Sequence, residues 1–229
     1  MARFAKSRLA ARLQMLVSER RLESGLYGEI ADHLPLKDGD TVLDVGTGTG
    51  LMLKAIVERN PGVHLFGLDI SQEAVKCARE QLTGLTVDLR QGDITSTNYE
   101  NDFFDIVTCN ASMSYWERPL AAFDEIFRIL RPGGQALLFE PRANIDVDHA
   151  IERIKENMAD KSIFRRWLAA ALNRFGLTRG DKVGMKRYSA AELCELAARS
   201  RFNPFFKVDK IALQGIPIFA RITLTKTLE

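Results

Sequence analysis

Apolar and polar positions along the chain follow two periods, one typical of buried strands and one typical of amphipathic helices. Short apolar runs rich in Val, Ile, Leu and Phe predict strands, because buried strands have this composition. The predicted strands are residues 41–45, 64–69, 85–91, 104–109, 135–140, 205–213 and 218–224. Apolar residues at helical spacing predict the helices, at residues 51–59, 72–82, 119–130, 147–158, 162–175 and 189–200.

The order of these elements predicts an α/β domain with a mostly parallel sheet of seven strands. Strands alternate with helices as far as residue 140, which indicates right-handed βαβ units covered on both faces. The last two strands are joined by Gln214-Gly215-Ile216-Pro217, so they predict an antiparallel hairpin at the sheet edge. The predicted parts of this single domain are an N-terminal helical segment (1–35), a core (36–140), a helical cap inserted after the fifth strand (141–188), and a C-terminal helix with the hairpin (189–229).

Composition and charge exclude several classes of protein. Apolar residues make up 46% and charged residues 27%, as in ordinary globular proteins, and the net charge of +2 does not indicate nucleic acid or membrane binding. No apolar run is long enough to cross a bilayer. The three cysteines form no CxxC pair, so we expect mostly buried thiols, no metal site and a cytoplasmic location. Residues 1–21 carry six basic residues and predict an amphipathic helix, with a transit peptide as the alternative.

The strongest chemical signal is the glycine loop after the first strand, where Gly46, Gly48 and Gly50 occupy alternate positions. Glycine at such a turn lets the backbone come very close to a ligand. Leu51 stands where a dinucleotide fingerprint needs a third small residue, and the Lys-Ser or Lys-Thr pair of a phosphate loop is absent. Asp44 precedes the loop and would repel a pyrophosphate. It suits a ligand with an ammonium or sulfonium group instead.

This segment resembles motif I of the class I S-adenosylmethionine-dependent methyltransferases, and the later motifs of that family follow in order. The resemblance implies that Asp69, at the end of the second strand, accepts hydrogen bonds from the ribose hydroxyls, although it could also serve as a helix N-terminal charge. Residues 91–94 (QGDI) resemble the adenine segment, in which Asp93 binds the exocyclic amine while Ile70 and Ile94 flank the ring. Residues 103–110 resemble motif IV, and residues 130–134 resemble the turn before the fifth strand.

The resemblance covers residues 36–140 and implies a Rossmann-like fold with S-adenosylmethionine as the cofactor. Its style is closest to the small-molecule branch, such as the quinone-biosynthesis methyltransferases. The implied cofactor-binding residues are Asp44, Gly46, Thr47, Gly48, Gly50, Asp69, Ile70, Asp93, Ile94 and Asn110. Tyr27 lies ahead of the first strand, outside this range, and is a further candidate for covering the methionine end of the cofactor.

Candidates on the acceptor side have less specific signals, because methyl transfer from a sulfonium needs no universal catalytic residue. His149, Glu140 and Tyr188 are candidates for a general base or a contact with the acceptor. The alternative for His149 is a solvated surface histidine, and the alternative for Glu140 is a structural hydrogen bond. Tyr115 and Trp116 are candidates for lining the acceptor pocket, with plain packing as the alternative. Residues 141–190 hold eleven basic and six acidic residues, a net charge of +5. Arg165 and Arg166 within this segment could attract an anionic acceptor, although a solvated helix face fits the same pattern.

These observations predict in-line methyl transfer from S-adenosylmethionine to a small-molecule acceptor, with neither nucleic acid nor a membrane as partner and the oligomeric state open. An RNA or protein methyltransferase is the first alternative. Asn110 is not followed by the Pro-Pro-aromatic run that would clamp a planar amine, which argues against chemistry on DNA adenine. A dinucleotide-binding oxidoreductase and a binding module without turnover are the remaining alternatives.

Overall fold

A computed structural model describes residues 25–179 and 185–228, so the helix predicted at residues 1–21 lies outside the described residues. Seven strands form one sheet in the order β3-β2-β1-β4-β5-β7-β6. The strands are β1 (Thr41–Val45), β2 (His64–Asp69), β3 (Val87–Gln91), β4 (Phe104–Asn110), β5 (Leu130–Pro141), β6 (Phe206–Leu213) and β7 (Ile216–Thr225).

The sheet is parallel from β3 through β2, β1 and β4 to β5, and β7 runs antiparallel to both β5 and β6. This architecture confirms the predicted Rossmann-like sheet with its antiparallel C-terminal hairpin. Strand order reverses at β1, whose two neighbours are β2 and β4. In open α/β sheets, ligands bind beyond the carboxyl ends of the strands at such a reversal. The glycine loop begins at that point.

Helices cover both faces of the sheet, and the sheet separates the hydrophobic core into two parts. The helices are α1 (Leu26–Asp32), α2 (Leu51–Arg59), α3 (Gln72–Gln81), α4 (Pro119–Ile129), α5 (Val147–Asn157), α6 (Ile163–Arg179) and α7 (Ala190–Ala198). Apolar side chains of α1, α2, α3 and α5 pack on one face, and those of α4 and α7 pack on the other. In the central strand β1, all five residues are therefore buried, whichever face of the sheet their side chains occupy.

Local signals start several of these helices where the sequence predicts. The Ser71 side chain accepts a hydrogen bond from the backbone N–H of Ala74 at the start of α3. Ser189 and Glu192 form the predicted capping box at the start of α7. Such caps satisfy backbone N–H groups that have no partner inside the helix.

Among the boundaries that differ from the predictions, three in the sheet are decided by strand pairing rather than by composition. Strand β3 begins at Val87, and the preceding Leu85 is exposed. Strand β5 includes the Pro-Gly-Gly turn, which is accommodated by a register shift against β4. The hairpin turn is only Gln214-Gly215, both with φ above zero, and the predicted turn residues Ile216 and Pro217 lie in β7. A two-residue loop of this kind matches the twist of the flanking strands.

The predicted cap after β5 is present as α5 and α6. Helix α5 buries Ala150 and Ile151, and α6 packs mainly on α5. The expectation of mostly buried thiols is wrong in part, since Cys109 is buried but Cys194 is exposed. Over residues 25–179 and 185–228, none of the helices has the length and apolar character that a membrane span requires.

Candidate active site

The backbone of the glycine loop is hydrogen-bonded to the end of the neighbouring strand β2. Gly46, Gly48 and Gly50 all have φ between +56° and +79°, a region that side chains with a Cβ rarely adopt. The backbone N–H groups of Gly46 and Thr47 donate to the carbonyl of Leu68, at 2.7 and 3.1 Å. The loop therefore keeps its backbone against β2 and leaves no side chain from the three glycines over the strand ends.

Asp69, at the carboxyl end of β2, organises the loop through its side chain. One carboxylate oxygen accepts from Gly48 N at 2.9 Å, and the other accepts from Ser71 N at 2.8 Å. The side chain is 8% exposed, and burial raises its pKa against the effect of these two hydrogen bonds. Each oxygen retains a second lone pair, so the carboxylate can still accept from the two hydroxyls of a ribose.

A group of buried polar atoms without hydrogen-bond partners in the described part of the chain lies at the carboxyl ends of β1 and β4. Asp44 pairs in register with Thr108, and both are buried. The unpartnered atoms are Thr47 Oγ1, Thr108 Oγ1, Asn110 Nδ2 and Asn110 Oδ1. Buried polar groups in folded proteins are nearly always hydrogen-bonded, so such a concentration indicates a place that a polar ligand or water occupies.

The carboxyl group of Asp44, which lies beside these polar atoms, has a shifted pKa. Burial raises the pKa of Asp44 to about 7. The nearby Thr47 hydroxyl lowers this pKa, although its geometry falls short of a full hydrogen bond, and the negative charge of Asp69 raises the pKa further. A cation next to Asp44 would favour the ionised carboxylate. S-adenosylmethionine has a sulfonium and an ammonium in its methionine half, and its hydroxyls and amine match the free acceptors. The residues present therefore fit this cofactor.

The predicted adenine segment is only partly assembled in the described structure. Ile70 is 42% exposed beside the loop, whereas Ile94 is 5% exposed and packs into the core on the α4 face. Asp93 is exposed and its Oδ1 accepts from Thr95 N at 2.8 Å, which leaves its second oxygen for a ligand. Ile70 can therefore flank an adenine ring, but Ile94 supports the segment from within.

Glu140, at the end of β5, binds the loop that follows β4. Its Oε1 accepts from Met113 N at 2.8 Å, and its Oε2 accepts from the Ser114 hydroxyl at 2.8 Å. The Cys109 thiol donates to Oε1 over 3.7 Å. The side chain is 1% exposed, and burial raises its pKa to about 7. Its contacts match the structural role that the sequence left open.

The other acceptor-side candidates differ in how far their side chains are exposed. Tyr115 is 41% exposed just beyond β4, whereas Trp116 packs edge-on against Phe123. Tyr188 is buried near Glu140, and its hydroxyl has no partner in the described structure. His149 is exposed in the first turn of α5.

Three further candidates lie on other helices. Tyr27 is buried in α1, on the face of the sheet that carries Asp44. Arg165 and Arg166 lie on α6, which packs mainly on α5 and not on the strands that carry the glycine loop. The structure therefore does not bring these two arginines together with Asp44, Asp69 and Asn110.

Sequence reasoning missed Thr108 and Ser112. Thr108 is a fully buried polar residue inside an apolar strand, a contrast that could have drawn attention to it. The Ser112 hydroxyl donates to the carbonyl of Val45 at 2.9 Å and lies 2.9 Å from the Cys109 sulfur. It therefore connects the loop after β4 to the start of the glycine loop.

Comparisons with known proteins agree with this geometry. Residues 43–138 match a family model described as a methyltransferase domain. The uncharacterized methyltransferase YdaC of Bacillus subtilis is 30% identical over 125 residues, which are 54% of this chain and 67% of that protein. A demethylmenaquinone methyltransferase of Clavibacter sepedonicus is 30% identical over 103 residues, 44% of this chain and 41% of that protein.

A solved SAM-dependent methyltransferase from Aquifex aeolicus has the same fold, with a TM-score of 0.65 at 16% identity over 93% of this chain and 96% of that one. Matches to the curated relatives are shorter: the chain spans about two thirds of YdaC and between 22% and 46% of the others. The matched part contains the glycine loop, Asp69 and Asn110. The chain belongs to the class I S-adenosylmethionine-dependent methyltransferases.

Proposed function

We propose that this protein transfers the methyl group of S-adenosylmethionine to a small-molecule acceptor. The observation that carries the proposal is the group of unpartnered buried polar atoms at the ends of β1 and β4, next to the glycine loop. A dinucleotide would bring a pyrophosphate toward Asp44 and Asp69, two buried carboxylates that would repel it. A cationic nucleoside has the opposite charge at that place.

The residues divide the cofactor between them in this proposal. Asp69 holds the ribose hydroxyls while its other lone pairs keep the Gly48 and Ser71 N–H groups. Asp44 and Asn110 hold the cationic methionine end, and Tyr27 covers it from α1. Ile70 and Asp93 hold the adenine.

When bound, the cofactor supplies a sulfonium methyl group that is already activated for in-line displacement. The chain contributes alignment, which can supply on the order of 7–11 kcal/mol of barrier reduction. Glu140 serves as a positioning residue, because its carboxylate fixes Met113 and Ser114 and so the loop that carries Tyr115. Burial of this loop against β5 also keeps water from the acceptor side.

The small-molecule class of acceptor is supported by relatives and by the position of the cap. The demethylmenaquinone enzyme acts, by its name, on a small molecule, and its likeness to this chain covers only 103 residues. The cap, residues 141–188, lies outside the part that matches the methyltransferase family model. We therefore propose that the cap and the loop after β4 select an acceptor specific to this protein.

Calorimetry tests the cofactor assignment directly. We expect S-adenosylmethionine and S-adenosylhomocysteine to bind the wild type and NAD to give no heat. Asp69→Ala should weaken binding by about 1.5–3 kcal/mol, because it removes hydrogen bonds to a charged acceptor. Asp88→Ala is the matched control, since Asp88 is a carboxylate on β3 that pairs with Arg90. Binding of NAD alone, or equal losses in both variants, would overturn the assignment.

A transfer assay identifies the acceptor class. Wild-type protein and labelled S-adenosylmethionine are incubated with hydroquinones, phosphorylated amines, total RNA and a protein mixture, and products are read by mass spectrometry. The proposal predicts label in one small-molecule set and none in RNA or protein. Label that enters only a macromolecule would refute it.

A further inference from the structure

Helix α6, the outer helix of the cap, exposes a cluster of large apolar side chains. Ile163 and Phe164 are each 73% exposed, and Trp167 is 69% exposed. Among the large apolar side chains of the described residues, only Leu228 near the chain end is more exposed. Further along the same helix, Ala169 and Ala170 are buried. An apolar cluster of this kind on a folded protein usually marks an interaction surface.

Basic residues outnumber acidic ones around this cluster, although Lys161 pairs with Asp160 at 2.8 Å. Helix α6 contains four arginines and no acidic residue, and Lys161 lies two residues before its start. Two nearby cations pair with acids of α5, Arg174 with Asp148 and Lys155 with Glu152, both at 2.7 Å. Even so, residues 141–190 keep a net charge of +5, which leaves −3 for the rest of the chain.

Cationic and apolar groups share one small depression on this surface. A cavity of about 170 Å³ is lined by Lys155, Ile163, Arg166 and Trp167. The ammonium of Lys155 lies 5.9 Å from the centroid of the Trp167 ring. An anionic group would find Arg166 there, together with the Lys155 that pairs with Glu152, beside an apolar wall.

We propose that α6 docks the protein onto an anionic lipid bilayer. Helices that lie in the membrane interface combine aromatic and aliphatic side chains on one face with basic residues beside them, and anionic lipids attract those basic residues. Ile163, Phe164 and Trp167 enter the headgroup boundary, while Arg165 and Arg166 contact lipid phosphates. The excess of one sign of charge fits a uniformly negative surface, whereas a protein partner would need an acidic patch of matching shape.

This docking goes beyond methyl transfer and does not depend on it, because binding to vesicles is measured without cofactor or acceptor. It replaces the sequence-based expectation that a membrane is not a partner, and it assigns Arg165 and Arg166 to the bilayer rather than to a soluble anionic acceptor.

Co-sedimentation of the full chain with vesicles tests the proposal. We expect binding to vesicles of phosphatidylcholine mixed with phosphatidylglycerol to exceed binding to phosphatidylcholine alone at least tenfold. Phe164→Ala with Trp167→Ala, and separately Arg165→Glu with Arg166→Glu, should each reduce that binding at least tenfold. Phe205→Ala is the matched control, since Phe205 is 52% exposed outside the cap. It should bind as the wild type does.

Fluorescence supplies a second measurement that does not rely on altered α6 variants. The chain has two tryptophans, so Trp116→Phe leaves Trp167 as the single emitter. Its emission should shift to shorter wavelength with the mixed vesicles and stay unchanged with phosphatidylcholine alone. The proposal is overturned if the wild type ignores the mixed vesicles or if both double variants still bind them. It is equally overturned if the apolar cluster instead joins two copies of the chain, seen as a dimer that Phe164→Ala with Trp167→Ala dissociates.

Discussion

The Asp44 carboxyl is enclosed on β1 between β2 and β4, where solvent cannot stabilise its charge. Its pKa is about 7, against an ordinary value of 3.8. As the pH rises, the folded protein therefore keeps this proton at pH values where the unfolded chain has already released it. The contribution of Asp44 to the free energy of unfolding is therefore fully present near pH 4 and is lost as the pH rises through about 7. A shift of one pKa unit corresponds to about 1.4 kcal/mol.

Asp44→Asn should separate stability from cofactor binding. The free variant should unfold at higher denaturant concentration than the wild type at about pH 8, and the difference should vanish near pH 4. Cofactor affinity should change in the opposite direction, because only the ionised carboxylate attracts a cation: the wild type gains affinity as the pH rises through about 7, and the variant binds weakly at every pH. A variant that loses stability at about pH 8 would contradict this account.

Gly46 and Ser112 form a contact that couples the two loops of the site. A Cβ at Gly46 would lie 2.3 Å from Ser112 Oγ and 2.4 Å from Ser112 Cβ. Gly46→Ala should therefore displace Ser112 from Val45 and Cys109, lower the melting temperature and weaken cofactor binding. Adding Ser112→Gly removes the clashing atoms and should restore part of the loss, with about 1–2 kcal/mol remaining from the left-handed backbone at Gly46. If the double variant is no better than Gly46→Ala, the contact is not the cause.

Strand β5 and the loop after β4 are joined by one buried carboxylate at Glu140. Glu140→Leu leaves the Met113 N–H and the Ser114 hydroxyl without an acceptor, at a cost of about 1–3 kcal/mol for each buried group. We expect a lower free energy of unfolding and faster protease cleavage within residues 111–116. Urea denaturation and mass spectrometry of the fragments measure the two effects.

The matched variant Glu140→Gln distinguishes positioning from proton transfer. Glutamine still offers an oxygen to Met113 N, so stability and kcat should stay close to those of the wild type. A general base, by contrast, would lose most of kcat on this change and the pH profile of the reaction would flatten.

Element types could be predicted from periodicity and caps, because these signals are local. Ser71 and the Ser189–Glu192 box, for example, lie where the structure starts α3 and α7. The ends of β3 and β5 could not be predicted, since they depend on which residues of the neighbouring strand offer a hydrogen bond. The two-residue turn at Gln214-Gly215 was obscured by Pro217, which β7 tolerates at an exposed position.

The parts of the site whose residues are neighbours in the sequence could be predicted. The parts that form only when strands pair could not. The glycine loop and Asp69 follow from motif spacing, whereas Thr108 joins Asp44 only through the register of β1 with β4. The partners of Glu140 depend on how a loop folds back onto β5. The exposed face of α6 was equally hidden, because periodicity alone does not show which side of a cap helix lacks a neighbour.

Binding of the cofactor should stabilise the whole molecule, since its proposed contacts span β1, β2 and β4. At about a hundredfold excess over its Kd, S-adenosylhomocysteine should add about 2.7 kcal/mol to the free energy of unfolding. For a chain of this size that corresponds to a rise in melting temperature of roughly 5–11 °C. A thermal shift assay measures the rise, and NAD at the same concentration should leave the melting temperature unchanged.

The position of β7 has a consequence for biosynthesis. Of the described strands it is the last to be made, yet it lies inside the sheet between β5 and β6. While the nascent chain leaves the ribosome, the edge of β5 stays open until Thr225 has emerged, and an open edge invites pairing with other chains. Chaperones that bind exposed strands would therefore engage this protein after its cofactor half has been synthesised and before β7 has emerged.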